Sequence, residues 1–189
     1  ALSRFFDYRK PLGHIIDYSS KKWKIKSRNK EQDFALNLLM DPKVNIITLI
    51  GPAGTGKTMI ALYAGLCQAV DDWHTVMPKQ AQYSRLIVTR PIQPMGKDIG
   101  YLPGTLEEKM SPWVAPINDN LQFLLGNGRD SLKEYVADGI IEIEALTYIR
   151  GRSINNAFIV VDEIQNMTAH ELKTVITRVG ENSKIVLMG

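Results

Sequence analysis

The chain has 189 residues, 44% of them hydrophobic and 23% charged, with a formal net charge of +3 and one cysteine. That is enough for one α/β domain with a substantial core and too little for two, and a lone Cys67 excludes an internal disulfide. No apolar run approaches the roughly 20 residues of a spanning helix, and Ala1–Asp7 lacks a signal-peptide core, which predicts a cytoplasmic protein with no membrane partner.

The modest net charge conceals an uneven distribution. Residues 1–30 hold nine basic side chains (Arg4, Arg9, Lys10, Lys21, Lys22, Lys24, Lys26, Arg28, Lys30) against Asp7 and Asp17, while the remainder is acidic overall. Interleaved with Tyr8, Tyr18 and Trp23, residues 1–28 form a basic arm suited to tracking a nucleic-acid backbone and stacking on bases. A solvated linker following an upstream domain fits the same composition. The chain begins without Met, so its natural start is expected further upstream. Short strands are predicted around Gly13–Asp17 and Trp23–Lys26.

Asn29-Lys30-Glu31-Gln32 opens a helix whose Phe34, Ala35, Leu38 and Leu39 share the core-facing spacing. Gln32 has two readings: the last member of a capping box, or a reader of an adenine edge. Asp41-Pro42 ends this helix. An apolar strand, Ile46–Ile50, expected to be buried, then runs into Gly51-Pro52-Ala53-Gly54-Thr55-Gly56-Lys57-Thr58 and a helical run to Ala69. The spacing G-x-x-x-x-G-K-[ST] between a strand and a helix is that of a phosphate-binding loop. Small residues there leave backbone N–H groups free to surround a phosphate, and the following helix N-terminus adds partial positive charge. Lys57 is expected on the β/γ-phosphates and Thr58 on Mg²⁺. The nucleotide-binding residues are therefore Gly51, Pro52, Ala53, Gly54, Thr55, Gly56, Lys57 and Thr58, with Gln32 as the candidate base contact.

A second strand, Leu86–Val88, ends at Thr89-Arg90-Pro91 and is followed by a long loop, residues 92–104. Ligands of open parallel sheets gather beyond the carboxyl ends of strands, which makes Arg90, Gln93 and Lys97 candidate nucleic-acid or phosphate contacts and Tyr101 a stacking surface; a surface connection with turns at its Pro and Gly is the alternative. Thr105–Glu108 caps a helical stretch, expected to break near Pro112 and Pro116 and to resume to Leu125. Ser131–Glu134 opens another helix, and Ile141–Glu144 alternates as a half-exposed strand does. Arg150 and Arg152 are placed either to face phosphates or to pair with Glu142 or Glu144.

Phe158-Ile159-Val160-Val161 is a strand buried on both faces, ending in Asp162-Glu163. Asp162 is the expected Mg²⁺ partner of Thr58, and Glu163 is placed to orient or deprotonate an attacking water. An adjacent Asp-Glu pair favours hydrolysis, because a water nucleophile needs positioning that an alcohol acceptor would not. The catalytic set is thus Lys57, Asp162 and Glu163. Thr168–Glu171 caps a helix carrying Leu172, Val175, Ile176 and Val179 on one face, and Ile185–Met188 is the last strand.

Taken together, the phosphate loop, Arg90–Gly104, Tyr148-Ile149-Arg150-Gly151-Arg152-Ser153 and Asp162-Glu163-Ile164-Gln165-Asn166 resemble the PhoH family, P-loop ATPases related to the first RecA-like domain of superfamily-one helicases. The resemblance covers residues 29–189. It implies a three-layer α/β, RecA-like fold with a mainly parallel central sheet, truncated at its C-terminus, and Gln32 near adenine. It also implies ATP and Mg²⁺ as cofactors, and hydrolysis coupled to binding, unwinding or moving along single-stranded RNA. Longer members carry an N-terminal PIN nuclease domain, which the resemblance places before residue 1; Asp7 and Asp17 are too few for a nuclease site. No second RecA-like domain is present to supply an arginine finger, so a neighbouring subunit, in a homo-oligomer or ring, is expected to complete the cleft. The rival readings are an ATP-dependent binding module with negligible turnover and a small-molecule kinase.

Overall fold

The computed structural model describes residues 3–4, 13–14, 16, 25–70, 81–91, 106–126, 132–145 and 153–189. Gln93, Lys97, Tyr101, Arg150 and Arg152 lie outside the described residues.

Within them, five parallel strands form one sheet. They are β3 (Ile46–Leu49), β4 (Arg85–Arg90), β5 (Ile141–Ala145), β6 (Ala157–Val161) and β7 (Lys184–Met188), in the order β3-β7-β6-β4-β5. A short antiparallel pair, β1 (Ser3–Arg4) with β2 (Gly13–His14), precedes the sheet. Of the two strands foreseen in the arm, the one at Gly13 forms. Ile25 and Lys26 are not in a strand. Asn37 holds the arm to the first helix by accepting from the Ile16 N–H (2.8 Å) and donating to the Ile16 carbonyl (2.9 Å).

The apolar runs become central strands because both faces are covered. On one side α1 (Lys30–Leu39), α2 (Lys57–Ala69), α3 (Leu106–Leu125) and α4 (Leu132–Ala137) bury Leu86, Val88, Phe158, Val160 and Val186. On the other, α5 (Ala169–Ile176) and its flanks cover Ile87, Ile159, Val161 and Ile185. This is the three-layer α/β arrangement foreseen. Every residue of α2 from Ile60 to Ala69 is buried, Cys67 among them, as expected of the helix at the centre of a layer.

Three expectations need correction. The strand entering the phosphate loop is not buried throughout: β3 lies at the sheet edge beside β7, so Ile47 is buried while Ile46 and Ile50 are exposed. In α1 the buried residues are Leu36 and Leu39, which pack with α2; Ala35 and Leu38 are only half-buried and Phe34 is exposed. Finally, α3 runs unbroken through Pro112 and Pro116. Prolines four residues apart fall on one helix face, so the missing N–H groups share a side, and Pro116 is exposed there. The Asn120 side chain donates to the Pro116 carbonyl at 2.8 Å.

Two caps fix the helices bordering the site. Asn29 accepts from the Gln32 N–H at 2.9 Å, and Thr168 with Glu171 makes a reciprocal capping box on α5. Lys184, first residue of β7, is fully buried and donates to the Leu39 and Asp41 carbonyls at 2.6 and 2.8 Å, closing the C-terminus of α1. Burial pushes its ammonium down to about 8.

Candidate nucleotide site

The parallel sheet sets the distances in the site. β7 lies between β3 and β6, so the phosphate loop after β3 and the acids after β6 are separated by one strand and meet over its end. The chain at Gly189 serves as the floor: Gly189 donates to the Leu49 carbonyl and accepts from the Gly51 N–H, both at 3.1 Å. Gly54 and Gly56 have φ of +79° and +84°, values that only glycine adopts without strain. Gly56 is also the first cap of α2 and has no side-chain cap bond, so the helix N–H groups stay open toward the cleft.

Side chains hold the loop from behind. Gln32 Nε2 donates to the Thr55 carbonyl at 2.9 Å, while its Oε1 accepts from the Arg28 N–H at 2.8 Å. The amide therefore caps residue 28 rather than completing a box with Asn29, and it touches the phosphate loop. Thr55 Oγ1 donates to the Pro52 carbonyl at 2.9 Å. Lys57 Nζ folds over the loop and donates to the Gly51 and Pro52 carbonyls at 2.5 and 3.0 Å.

Across the cleft, Thr58 Oγ1 lies 3.5 Å from Asp162 Oδ1, which also accepts from the Glu163 N–H at 3.1 Å. Asp162 is buried, and its carboxyl is pushed up by that burial and then by the Glu163 charge; Arg90, the Glu163 N–H and the Thr58 hydroxyl pull the other way. A group so placed gains from a cation. Glu163 has φ +56° and ψ +43°, the left-handed region, directly before the 3-10 turn Ile164–Asn166. Its Oε1 pairs with Arg90 Nη2 at 3.3 Å and its Oε2 accepts from Gln165 Nε2. Arg90, foreseen as a nucleic-acid contact, thus faces the acids. Glu142 pairs with Arg85 at 3.2 Å, while Arg150 and Arg152, its foreseen partners, lie outside the described residues.

Gly51, Ala53 to Thr58, Asp162 and Glu163 together line one cavity of about 420 Å³. Asn120, Gln165 and Gly189 line it too and were not foreseen. Gln165 lies within the quoted D-E-I-Q-N run, whereas nothing local in the sequence marks an asparagine in the middle of α3. A second hollow of about 530 Å³, lined by Gln32, Phe34, Leu38, Leu49, Ile50 and Pro52 among others, opens beside the loop between α1 and the edge of β3.

The donor set fits Mg²⁺. A hydroxyl and a carboxylate are hard oxygen ligands, and this ion commonly takes one or two protein ligands with phosphate oxygens and water. Among the described residues no cluster of three or more His, Cys, Asp or Glu side chains could enclose a metal alone. No helix of the described residues is long and apolar enough to cross a membrane.

The family model for PhoH-like protein matches residues 24–189. Protein PhoH2 of Bacillus subtilis (strain 168) is 53% identical over 169 residues, which cover 88% of this chain and 36% of that protein. Protein PhoH2 of Mycolicibacterium smegmatis is 40% identical over 164 residues, covering 86% and 35%. A PhoH-like protein of Mycobacterium tuberculosis (strain ATCC 25618 / H37Rv) is 42% identical over 144 residues, covering 76% and 38%. The chain thus spans between 35% and 38% of the length of these curated relatives. Among solved structures, "The Phi-28 gp11 DNA packaging Motor" aligns with 77% of this chain and 46% of that one at 17% identity and a TM-score of 0.37, too distant to add to the argument.

Proposed function

Because the chain belongs to the PhoH family and carries an ATP-binding phosphate loop, we propose that it hydrolyses ATP and couples hydrolysis to single-stranded RNA. The observation that carries this reading is the approach of Thr58 to Asp162, 3.5 Å apart over one cavity with Glu163 beside them.

In this mechanism the N–H groups of Gly54 to Thr58 and the N-terminus of α2 hold the phosphates. Lys57 exchanges its two loop carbonyls for β/γ-phosphate oxygens. Thr58 and Asp162 are the residues that would hold Mg²⁺, which would supply positive charge against the phosphates. Glu163 orients water in line with the γ-phosphate and takes its proton. The hollow beside Gln32 receives the base, with the remaining amide N–H and lone pair facing adenine.

The reading assigns residues 29–189 to the ATPase domain and residues 1–28 to a basic arm that follows the RNA backbone. Gln93, Lys97, Arg150 and Arg152 belong to the same RNA path at the strand ends. A neighbouring copy supplies an arginine finger, giving a head-to-tail oligomer, and a PIN nuclease domain precedes the arm.

One observation favours a second reading, a nucleotide-dependent binding module with negligible turnover: both carboxylate oxygens of Glu163 are already engaged. Phosphate release with and without single-stranded RNA separates the two. Stimulated release supports the ATPase, absence of release with retained ATP binding supports the module, and ADP formed without phosphate release, only when a small acceptor is present, would point to a kinase. Lys57→Ala should lose ATP binding, and Glu163→Gln should bind ATP without turnover.

A further inference from the structure

The Arg90–Glu163 pair is unusual in what it restrains. Glu163 occupies left-handed backbone, which strains a non-glycine residue, so its placement depends on the contacts around it. Those contacts are Arg90 on Oε1 and Gln165 on Oε2, so each oxygen that could take a proton from water already accepts a hydrogen bond from the protein. Arg90 is the last residue of β4, and the Pro91 that follows favours extended backbone at Arg90. It therefore stands where the chain leaves the sheet for residues 92–104. Both partners are partly open to solvent, the side chains 25% and 34% exposed, so another anion can reach the guanidinium. A phosphate diester competes well there, because a guanidinium has five donors and this carboxylate uses one edge.

We infer that Arg90 is a positioning residue that restrains Glu163, and that a backbone phosphate of single-stranded RNA at the end of β4 draws Arg90 away and frees the carboxylate for water. The inference rests on the ATPase reading and assigns its regulation to one exchangeable ion pair.

The test is phosphate release by wild type, Arg90→Ala and Arg90→Lys, with and without poly(U), resolving kcat from KM for ATP. Arg90→Ala should raise RNA-free kcat about twofold to fivefold, the factor that a partly exposed ion pair is worth, with KM unchanged. Its stimulation by poly(U) should fall toward none. Arg90→Lys keeps a cation without the planar fork and should give an RNA-free kcat between those of wild type and Arg90→Ala, with part of the stimulation. If Arg90→Ala does not fold, Arg90→Gln, which keeps a donor without charge, carries the same expectation. A variant with lower kcat and the wild-type stimulation ratio would mean that Arg90 only supports the structure, and the coupling would be overturned. Turnover by wild type that poly(U) does not stimulate would also overturn it, leaving the ATPase intact. No phosphate release by wild type under any condition would overturn the ATPase reading and the coupling with it.

Discussion

Gln32 Nε2 donates to the Thr55 carbonyl at 2.9 Å, joining α1 to the tip of the phosphate loop across 23 residues of sequence. The contact makes this glutamine a strut as well as a candidate base reader. A Cβ at Gly56 would lie 3.3 Å from the same Nε2, so the amide also fills the space that glycine leaves. Gln32→Ala should therefore weaken inorganic tripolyphosphate as well as ATP, by about fivefold each, the worth of one neutral hydrogen bond. Calorimetric titration of both ligands decides the matter. Weaker binding of ATP alone would assign Gln32 to the adenine edge only.

Gly65 faces the sheet from the centre of α2, where a Cβ would stand 2.6 Å from Leu86 Cδ1 and 3.1 Å from Phe158 Cδ1. The usual gain in helix propensity from Gly to Ala is close to 1 kcal/mol, and overpacking against a strand buried on both faces costs about 1–3 kcal/mol. The clash should win. Gly65→Ala is expected to lower the urea midpoint without altering nucleotide contacts, since Gly65 lies two helical turns beyond Lys57. An unchanged or raised midpoint would mean that the sheet gives way at no cost.

These two residues show what the sequence could and could not convey. The phosphate loop, the acids after β6 and the capping box on α5 were legible because each is a local pattern with its own chemistry. Strand order is not local. That β7 separates β3 from β6, leaving Ile46 and Ile50 on an edge and Gly189 beneath the loop, follows from pairing between distant segments. The partner of Arg90 was missed for the same reason: only the register of β4 beside β6, Thr89 opposite Val161, brings residue 90 level with the acids. Lys184 was missed because a lysine at the start of an apolar strand ordinarily reaches solvent, whereas here the end of α1 lies over it.

Lys184 gives the fold a distinct pH response. Its folded value, about 8, lies below the ordinary 10.5, so between those values the unfolded chain binds more protons than the folded one. Stability from this group therefore rises with pH across that window, by at most about 1.4 kcal/mol per pH unit, and the penalty of the buried charge is carried in full below it. Lys184→Met has no proton to lose but leaves the Asp41 carbonyl without this donor, while Leu39 keeps Gln68 at 3.2 Å. The stability of wild type relative to Lys184→Met should increase from about pH 8 to about 10.5 in denaturant titrations. Parallel curves across that range would show that the ammonium is not restrained as the geometry requires.

Asp162 should show the conflict between stability and function. Its carboxyl is raised above the usual carboxylate range, chiefly by burial and next by Glu163, so the folded chain binds more protons than the unfolded one just above the ordinary value of 3.8. Stability from this group falls as pH rises through that interval, and once ionised the buried acid carries the whole cost of its burial. Asparagine keeps an oxygen for the Thr58 hydroxyl and the Glu163 N–H and removes the charge. In the absence of nucleotide and Mg²⁺, Asp162→Asn should therefore melt higher than wild type at neutral pH, by about 2–4 °C for each kcal/mol recovered in a domain of this size. The gain should vanish in acid, where wild type is protonated as well. Adding ATP with Mg²⁺ should reverse the order, because only the carboxylate offers the cation a charge, and wild type should then melt higher. A variant that melts lower than wild type without ligand would mean that Asp162 is held by attractive contacts rather than poised to receive a cation.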